Sequence, residues 1–282
     1  MQPGALEARL LTSLADIGRD AWNALAGTDY PFLRHEFLAA LEQTGCTNAD
    51  SGWQPCHLTL YRDKQLIALM PMYLKYHSYG EYVFDWSWAD AWHRHGREYY
   101  PKLLTAVPFT PATGPRLCIA EGEDRGQTIA ALFAAVQKVA EDQELSSWHL
   151  LFPPAEDAEQ LERLGASTRL GSQFHWFNQG FGSFDEFLGE FNSRKRKSLR
   201  RERRRVQEQG IQLQTRVGRD IGEADWDNFY RFYKLTYAKR SGHSGYLSRD
   251  FFLELGERLP EHCVMVSASL DGEPVAGSLC LK

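Results

Sequence analysis

Residues 56–74, with the sequence CHLTLYRDKQLIALMPMYL, contain two apolar runs separated by a short polar connection. The runs are Cys56–Tyr61 and Leu66–Leu74, and the residues between them are Arg62-Asp63-Lys64-Gln65. Two apolar runs of strand length around a short polar connection are typical of a β-hairpin. This stretch therefore predicts two adjacent antiparallel strands in the first half of the chain.

Strand and helix patterns alternate on both sides of the hairpin. Further strands are predicted at Leu6–Leu14, Tyr82–Trp88, Trp148–Phe152 and Gly165–Asn178. Helices are predicted at Ala15–Leu25, Leu33–Leu41, Thr128–Glu141 and Ala155–Leu164. Mixed alternation of this kind predicts an α/β (α+β) fold class.

A similar order of elements starts again after Gly180. A helix that ends at Gly210 is followed by a strand at Ile211–Val217 and by two helices at Asp225–Ala238 and Ser248–Arg258. A final hairpin is predicted with strands at Cys263–Leu270 and Glu273–Lys282. We therefore predict two domains with mixed central sheets, residues 1–178 and 179–282. Because an apolar strand ends the chain, we expect the second domain to be incomplete at its C-terminus. The alternative is a genuine C-terminal edge strand.

The composition is that of a soluble globular protein, since 43% of the residues are hydrophobic and 24% are charged. The N-terminal residues contain no apolar run that is long enough for a signal peptide or a membrane span. The five cysteines are an odd number without CxxC spacing, which favours free thiols in a reducing compartment. We expect a cytoplasmic protein.

Positive charge is concentrated between Arg194 and Arg205, where nine of twelve residues are Lys or Arg and only Glu202 is acidic. The chain as a whole has a formal net charge of −5. Like charges on one helix repel each other, so an unpaired basic block of this kind indicates an anionic partner.

On a helix, this run has two faces. The outward face would carry the anion-binding residues, because arginine side chains bind phosphate groups with two parallel hydrogen bonds. The predicted anion-binding residues are Arg196, Lys197, Arg200, Arg203 and Arg204, with Arg205 beside them. The inward stripe would hold Lys195 and Glu202 together with Leu199 and Val206. A charge on a buried stripe must be paired or used, so these two residues are either a structural ion pair or part of a site.

Eight aromatic residues lie between Tyr79 and Tyr100. If Tyr82–Trp88 continues as a strand, Trp86, Trp88 and Asp90 share one face of it. Asp85, Tyr99, Tyr100 and Lys102 lie among or just after them. This surface predicts a pocket for a sugar or a peptide, and packing of the aromatic face in the core explains the pattern equally well.

Metal and cofactor signals are weak. His93-x-His95 has no third ligand at zinc-like spacing, so no metal is expected. Three carboxylates occupy residues 121–126, at the start of the predicted helix Thr128–Glu141. Because carboxylates take the place of an anion at a helix N-terminus, this loop should not bind the diphosphate of CoA.

Short motifs throughout the chain resemble the FemAB-like proteins, described as peptidoglycan biosynthesis/recognition acyltransferases. They are YGEYVFDW at 79–86, HG at 95–96, YYPKL at 99–103, VPFTP at 107–111, GPRL at 114–117, SRKRK at 193–197, RERR at 201–204, YL at 246–247 and FF at 251–252. The resemblance implies that each half is a domain of the GNAT acyltransferase fold. It also implies transfer of an aminoacyl group from aminoacyl-tRNA to a cell-wall precursor, which makes tRNA or a nucleotide-linked precursor the expected polyanionic partner of the basic helix. Members of the family continue beyond the position of Lys282.

From these patterns we predict an N-acyltransferase without a tightly bound cofactor. Its acyl donor would be aminoacyl-tRNA or acyl-CoA, and the donor site is expected to be missing from this chain. Catalytic candidates are Glu202, Asp85 and Asp90 as bases and Tyr99 or Tyr100 as a proton donor to the leaving group. Substrate-binding candidates are Trp86, Trp88, Asp90, Tyr100, Lys102 and Lys195. The alternatives are a nucleic-acid-binding module and a non-catalytic protein that recognises cell-wall peptide or saccharide.

Overall fold

The computed structural model describes residues 5–282 and shows a mixed α/β protein, which confirms the predicted fold class. Its strands are β1 (Leu6–Leu11), β2 (Trp53–Pro55), β3 (His57–Arg62), β4 (Gln65–Met70), β5 (Met72–Lys75), β6 (Lys102–Thr105), β7 (Cys118–Ile119), β8 (Trp148–Leu150), β9 (Gln212–Val217), β10 (Cys263–Leu270) and β11 (Glu273–Leu281). Its α-helices are α1 (Arg19–Ala26), α2 (His35–Gln43), α3 (Trp86–Arg94), α4 (Arg125–Asp142), α5 (Ala155–Arg163), α6 (Phe184–Gly189), α7 (Ser193–Glu208), α8 (Glu223–Ser241) and α9 (Arg249–Arg258).

The predicted hairpin at residues 56–74 is present, and it divides between two sheets. Asp63 and Lys64 form the turn of β3 and β4 with φ angles of 49° and 71°, as a two-residue hairpin loop requires. The second apolar run breaks at Pro71, which has no N–H group for a strand ladder. β4 therefore joins the sheet β1-β3-β4-β7, whereas β5 joins the sheet β2-β5-β6-β8.

The two halves of the chain repeat one topology. In the first half a strand and two helices precede two antiparallel strands, in the sheet order β1-β3-β4. In the second half, α8 and α9 separate β9 from the hairpin β10–β11, in the equivalent order β9-β10-β11. One hydrophobic core includes residues of both halves, and Phe37 on α2 packs edge-on against Phe251 on α9 at 5.6 Å. The domain boundary at residues 178 and 179 stays a prediction.

Two predicted strands are wrong. Residues 86–94 form α3, because the chain turns at Gly80 and Tyr82, with φ angles of 79° and 58°, and then enters a helix. Residues 165–178 contain neither helix nor strand and are mostly exposed. Without a neighbouring strand their backbone has no hydrogen-bonding ladder to join, so alternation of side chains alone does not make a strand.

Candidate functional site

The buried charge cluster, which consists of Ser78, Glu81, Asp85 and Lys102, lies beside the N-terminal end of β6. Lys102 Nζ donates to Glu81 Oε2 at 2.9 Å, to Asp85 Oδ2 at 2.6 Å and to Ser78 Oγ at 3.1 Å. All four residues are buried, and Lys102 is 0% exposed. Buried charges cost free energy unless they are paired and hydrogen-bonded, so this cluster must form as a unit.

The loop between β5 and α3 supplies three members of the cluster. It reverses direction at Gly80, where an added Cβ atom would lie 2.6 Å from the Phe109 ring, so only glycine fits. As a result Ser78, Glu81 and Asp85 are buried, while Tyr79 between them is exposed.

The two carboxylates of the cluster differ in their electrostatics. Burial raises the pKa of Glu81, and the charge of Lys102 offsets only part of that effect. Burial acts on Asp85 in the same direction, but hydrogen bonds from Lys102 and Tyr99 outweigh it and lower the pKa of this carboxyl group. Glu81 Oε1 and Asp85 Oδ1 accept no hydrogen bond from the part of the chain that the structure describes. The cluster therefore contains unused acceptor atoms.

A second buried lysine lies close to the cluster. Lys75 Nζ is 3.7 Å from the centre of the Trp53 ring and donates to the carbonyl oxygen of Tyr79 at 3.3 Å. Burial lowers the pKa of Lys75 to about 7. An amine in this part of the fold therefore loses its proton much more easily than in water.

This lowered pKa makes stability depend on pH. The pKa of lysine in the unfolded chain is about 10.4. Above the folded-state pKa of about 7 the unfolded chain binds more protons than the folded chain, so the free energy of unfolding rises with pH. We expect a slope of up to about 1.4 kcal/mol per pH unit between about pH 7 and 9, measured by urea unfolding, and we expect Lys75→Met to lose it. Equal slopes in both proteins would show that Lys75 stays charged in the fold.

Tyr99 and His149 extend the cluster toward the surface. The Tyr99 hydroxyl donates to Asp85 Oδ2 at 2.7 Å, and His149 Nε2 lies 3.3 Å from that hydroxyl and 3.0 Å from Ser147 Oγ. His149 was not among the residues predicted from the sequence. Parallel pairing of β6 with β8 aligns it with Leu104, and no local pattern around residue 149 marks that contact.

Aromatic residues surround the cluster on the outside. The aromatic rim consists of Tyr79, Phe84, Trp86 and Trp88, all of which are exposed, with Phe84 at 71%. Trp88 packs beside His149 with ring centres 6.1 Å apart, and Tyr79 packs beside Trp86 at 5.1 Å. Exposed aromatic rings above buried polar groups are typical of a binding site.

The predicted substrate-binding residues of this region fall into three positions. Trp86 and Trp88 belong to the rim, and Tyr100 is half-buried with its hydroxyl 2.7 Å from Ser78 Oγ. Asp90 is exposed on α3 and pairs with Arg94 at 3.1 Å. The ammonium group of Lys102, the remaining candidate, is fully buried and is already bonded to two carboxylates.

The second half of the chain contacts this same region. Tyr82 and Phe109 are non-glycine residues with φ angles of 58° and 57°, and both contact the second half. The hydroxyl groups of Tyr82 and Tyr237 are 3.0 Å apart, and the Phe109 and Tyr246 rings stack at 5.1 Å. Such backbone strain persists only where the surrounding structure holds it in place, and it is frequent at functional sites.

The basic helix α7 is present, but the side that we predicted to face inward is not buried. Lys195 and Glu202 are both exposed, and no residue of α7 among the described positions is buried. Leu199 and Val206 are only half-buried. Glu202 accepts a hydrogen bond from Ser198 within the same helix. The prediction of a buried Lys195 and Glu202 is therefore wrong.

The outward face of α7 forms a shallow basic groove of about 380 Å³, lined by Ser193, Arg196, Lys197, Arg200, Arg201 and Arg204. Arg203 lines the adjoining groove together with Arg200 and Arg204. Within residues 5–282 the only ion pair made by the basic residues of α7 joins Arg200 to Asp185 at 2.9 Å. The predicted anion-binding residues therefore lie together, and most of their charge is unneutralised.

Metal and phosphate sites elsewhere find no support in the described part of the chain. No group of three or more His, Cys, Asp or Glu residues there is arranged to hold a metal ion. The N-terminus of α4 is capped by Asp124, which accepts a hydrogen bond from the backbone of Gln127 at 2.8 Å. We also find, over residues 5–282, no helix of the length and apolar character that a bilayer crossing requires.

Several solved acyltransferase structures are similar to the chain. The ribosomal-protein-alanine N-acetyltransferase from Brucella melitensis biovar Abortus 2308 is 16% identical, and the match covers 61% of this chain and 100% of that protein with a TM-score of 0.35. The aminoglycoside N-acetyltransferase AAC(6')-Iy is 12% identical over 64% of this chain and 98% of its own, with a TM-score of 0.37. FemX is 12% identical over 94% of this chain, which spans 58% of the FemX structure, with a TM-score of 0.44. None of the curated proteins matches the sequence.

A protein-family comparison gives a match over nearly the whole chain. The matching family model is FemAB-like, with the description peptidoglycan biosynthesis/recognition, and it covers residues 13–282. The match includes the buried charge cluster, the aromatic rim and α7, and it agrees with the resemblance of the short motifs. The chain belongs to the FemAB-like family.

Proposed function

We propose that this protein transfers an acyl or aminoacyl group to an amine of a cell-wall precursor. The observation that carries the proposal is the buried charge cluster, with its unused carboxylate oxygens, beneath an exposed aromatic rim. The rim provides apolar surface for the body of a substrate, and Tyr99 and His149 connect that surface to the buried carboxylate of Asp85. The family description supports the cell wall as the source of that substrate.

In this proposal Asp85 and Tyr99 act at the acceptor end of the reaction. The amine nitrogen attacks the acyl carbon of an ester or thioester, a C–N bond forms, and the bond to the leaving oxygen or sulfur breaks. The proton that the nitrogen loses passes, by way of Asp85 and Tyr99, to that leaving atom. Asp85 is held by Lys102 and Tyr99, so its free oxygen has a fixed position. Fixing reacting groups in place is a large source of rate enhancement.

The basic groove of α7 binds the polyanionic partner, which is aminoacyl-tRNA or a nucleotide-linked precursor. Its cations are unneutralised apart from the Arg200–Asp185 pair in the described chain, and arginine side chains match phosphate geometry. With aminoacyl-tRNA as the donor, the reaction takes place in the cytoplasm. Acyl-CoA is the alternative donor.

Acyl transfer tests this proposal directly. We expect the protein to form an amide between the aminoacyl group of aminoacyl-tRNA and a nucleotide-linked cell-wall peptide, detected by mass spectrometry. Asp85→Asn and Tyr99→Phe should each reduce kcat/KM about 100-fold or more, the usual range for a lost proton-transfer group.

Glu202→Gln is the matched control, because it removes a carboxylate that is exposed on α7, and we expect it to keep the activity. Urea unfolding of each variant separates lost chemistry from lost folding. Full activity in both Asp85→Asn and Tyr99→Phe would refute the assignment of the site.

Binding of nucleic acid without catalysis is a second candidate, favoured by the free positive charge of α7. It predicts salt-dependent RNA binding in a protein that transfers no acyl group.

A further inference from the structure

Exposed aromatic rings lie close to the basic helix, in residues that the proposed function does not use. The FHWF segment, residues 174–177, belongs to the irregular stretch between α5 and α6. Phe174 is fully exposed, Trp176 is 62% exposed and Phe177 is 74% exposed. Isolated exposed rings are ordinary in soluble proteins, but three within four residues form an apolar surface that is typical of a binding site.

The FHWF segment is attached to the first half of the chain. Directly before it, Gln173 Nε2 donates to the carbonyl oxygen of Pro111 at 2.6 Å. Within it, the His175 and Phe177 rings lie nearly parallel, with an angle of 16° between them and centres 5.9 Å apart. The segment therefore presents flat ring surface to solvent at a defined place.

The FHWF segment adjoins α7 through the short helix α6. Trp176 packs edge-on against Phe187 of α6, with ring centres 5.7 Å apart. Phe184, at the start of the same helix, has its ring centre 4.0 Å from the guanidinium carbon of Arg203 on α7. Phe184 and Arg203 also line the groove that adjoins the basic groove of α7. Aromatic rings and cationic groups therefore follow one another from residue 174 to α7.

We propose that this surface binds an unpaired stretch of RNA, with the phosphates in the grooves of α7 and the bases stacked on the FHWF segment. The proposal rests on the proposed function, in which α7 binds a polyanion, and it specifies a polyanion with unpaired bases. A positively charged groove beside rings for stacking is the combination that single-strand-binding proteins use. In a duplex each base is covered by the next base pair, so only the phosphates would contact this surface.

The shape of the surface favours a strand of nucleic acid over a membrane. A helix that lies on a bilayer inserts an apolar face among the lipids. The apolar residues of α7, Leu199 and Val206, are both half-buried, so the exposed surface of this helix is polar. Its cations line two adjoining grooves, and a groove fits a phosphate backbone better than it fits a flat bilayer.

Fluorescence anisotropy with short RNA ligands tests the proposal on the intact protein. A duplex has a higher phosphate density than a single strand, so phosphate contacts alone would favour the duplex. We expect oligouridine to bind about tenfold more tightly than an RNA duplex of equal length, because stacking of one base on a ring contributes about that factor. Ultraviolet crosslinking of oligouridine, followed by mass spectrometry, should locate the crosslinks within residues 174–187.

The FHWF variant carries Phe174→Ala, Trp176→Ala and Phe177→Ala. It should bind oligouridine at least about tenfold more weakly than the parent, while its affinity for the duplex stays within about twofold. Its salt dependence should be that of the parent, because the phosphate contacts of α7 remain. Urea unfolding verifies that the variant is folded.

A matched control removes exposed apolar side chains of β9, α8 and β11. It carries Leu213→Ala, Leu235→Ala and Val275→Ala and should keep the affinity for oligouridine. Equal losses in the two variants, tighter binding of the duplex by the parent, or crosslinks only outside residues 174–187 would overturn the proposal.

Two further ligands identify the other candidate partners. Displacement of oligouridine by an equal concentration of uridine diphosphate would overturn the proposal in favour of a nucleotide-linked precursor. Binding to phosphatidylglycerol vesicles that the FHWF variant loses would overturn it in favour of a membrane. These measurements need no acyl transfer, so a protein that binds oligouridine through the FHWF segment but forms no amide would contradict the proposed function alone.

Discussion

Replacement of Lys102 by methionine should destabilise the protein by about 3–5 kcal/mol, the usual cost of removing one partner of a buried ion pair. Methionine fills much of the space of the lysine chain but donates no hydrogen bond. Glu81 and Asp85, which share that ammonium group at 2.9 and 2.6 Å, would stay buried without their partner. Urea unfolding gives the loss as a decrease in the midpoint.

The pH dependence of this loss identifies its cause. Without Lys102 both carboxyl groups should have folded-state pKa values above those of the unfolded chain, because burial disfavours their charged forms. The deficit is then present at neutral pH and shrinks as the pH falls through those raised values. A deficit that is independent of pH would instead indicate lost packing.

Two further variants complete the experiment. Lys138→Met removes an exposed lysine that pairs with Asp142 on the same helix, and it should cost at most about 0.5 kcal/mol. A triple variant with Glu81→Gln, Asp85→Asn and Lys102→Met removes all three charges and should recover part of the loss. If the triple variant were no more stable than Lys102→Met, uncompensated charge would not explain the effect.

The elements that the sequence predicted well are those with strong local signals. The hairpin at 56–74 has a polar turn between two apolar runs, and β10 and β11 pair across Asp271 and Gly272, which both have positive φ angles. Turn chemistry fixes such connections without information from the rest of the chain.

Local patterns failed where two structures share one spacing. Trp88 and Trp92 are separated by four residues, so they share one face of a strand and also one side of a helix. The same spacing therefore fits both α3 and the strand that we predicted at Tyr82–Trp88. Lys195 and Glu202 lie on one side of α7, as their seven-residue spacing predicts. That side is not buried, because only tertiary packing decides which side of a helix is covered.

The candidate site was predicted in part, through its residue types. Asp85, Tyr99 and Lys102 were selected from the aromatic segment and the tyrosine–proline–lysine motif, and the structure brings them into hydrogen-bonding distance. Burial of Lys102 could not be predicted, because charged residues are exposed in most proteins. His149 joins the site through strand pairing with Leu104, 45 residues earlier in the chain, a distance at which sequence patterns carry no contact information.

Neutralising four arginines of α7 should remove most of the salt dependence of RNA binding. Each phosphate contact contributes about 0.7–0.9 units to the slope of log affinity against log salt concentration. The variant Arg196→Gln, Arg200→Gln, Arg203→Gln and Arg204→Gln should therefore lower that slope by about 3 units for unfractionated tRNA. Fluorescence anisotropy at several salt concentrations measures both slopes.

A matched control distinguishes RNA binding at the surface of α7 from a response to the net charge of the whole protein. Arg19, Arg94, Lys138 and Arg163 are exposed on α1, α3, α4 and α5, and their joint replacement by glutamine changes the net charge by the same amount. Because salt screens charges that are more than about 10 Å from a ligand at 0.1 M, this control should keep most of the slope if α7 is the binding surface. Equal slopes for the two variants would mean that RNA responds only to net charge. A flat response in the parent protein would mean that the partner of α7 is not a polyanion, and the free cations of this helix would then require another explanation.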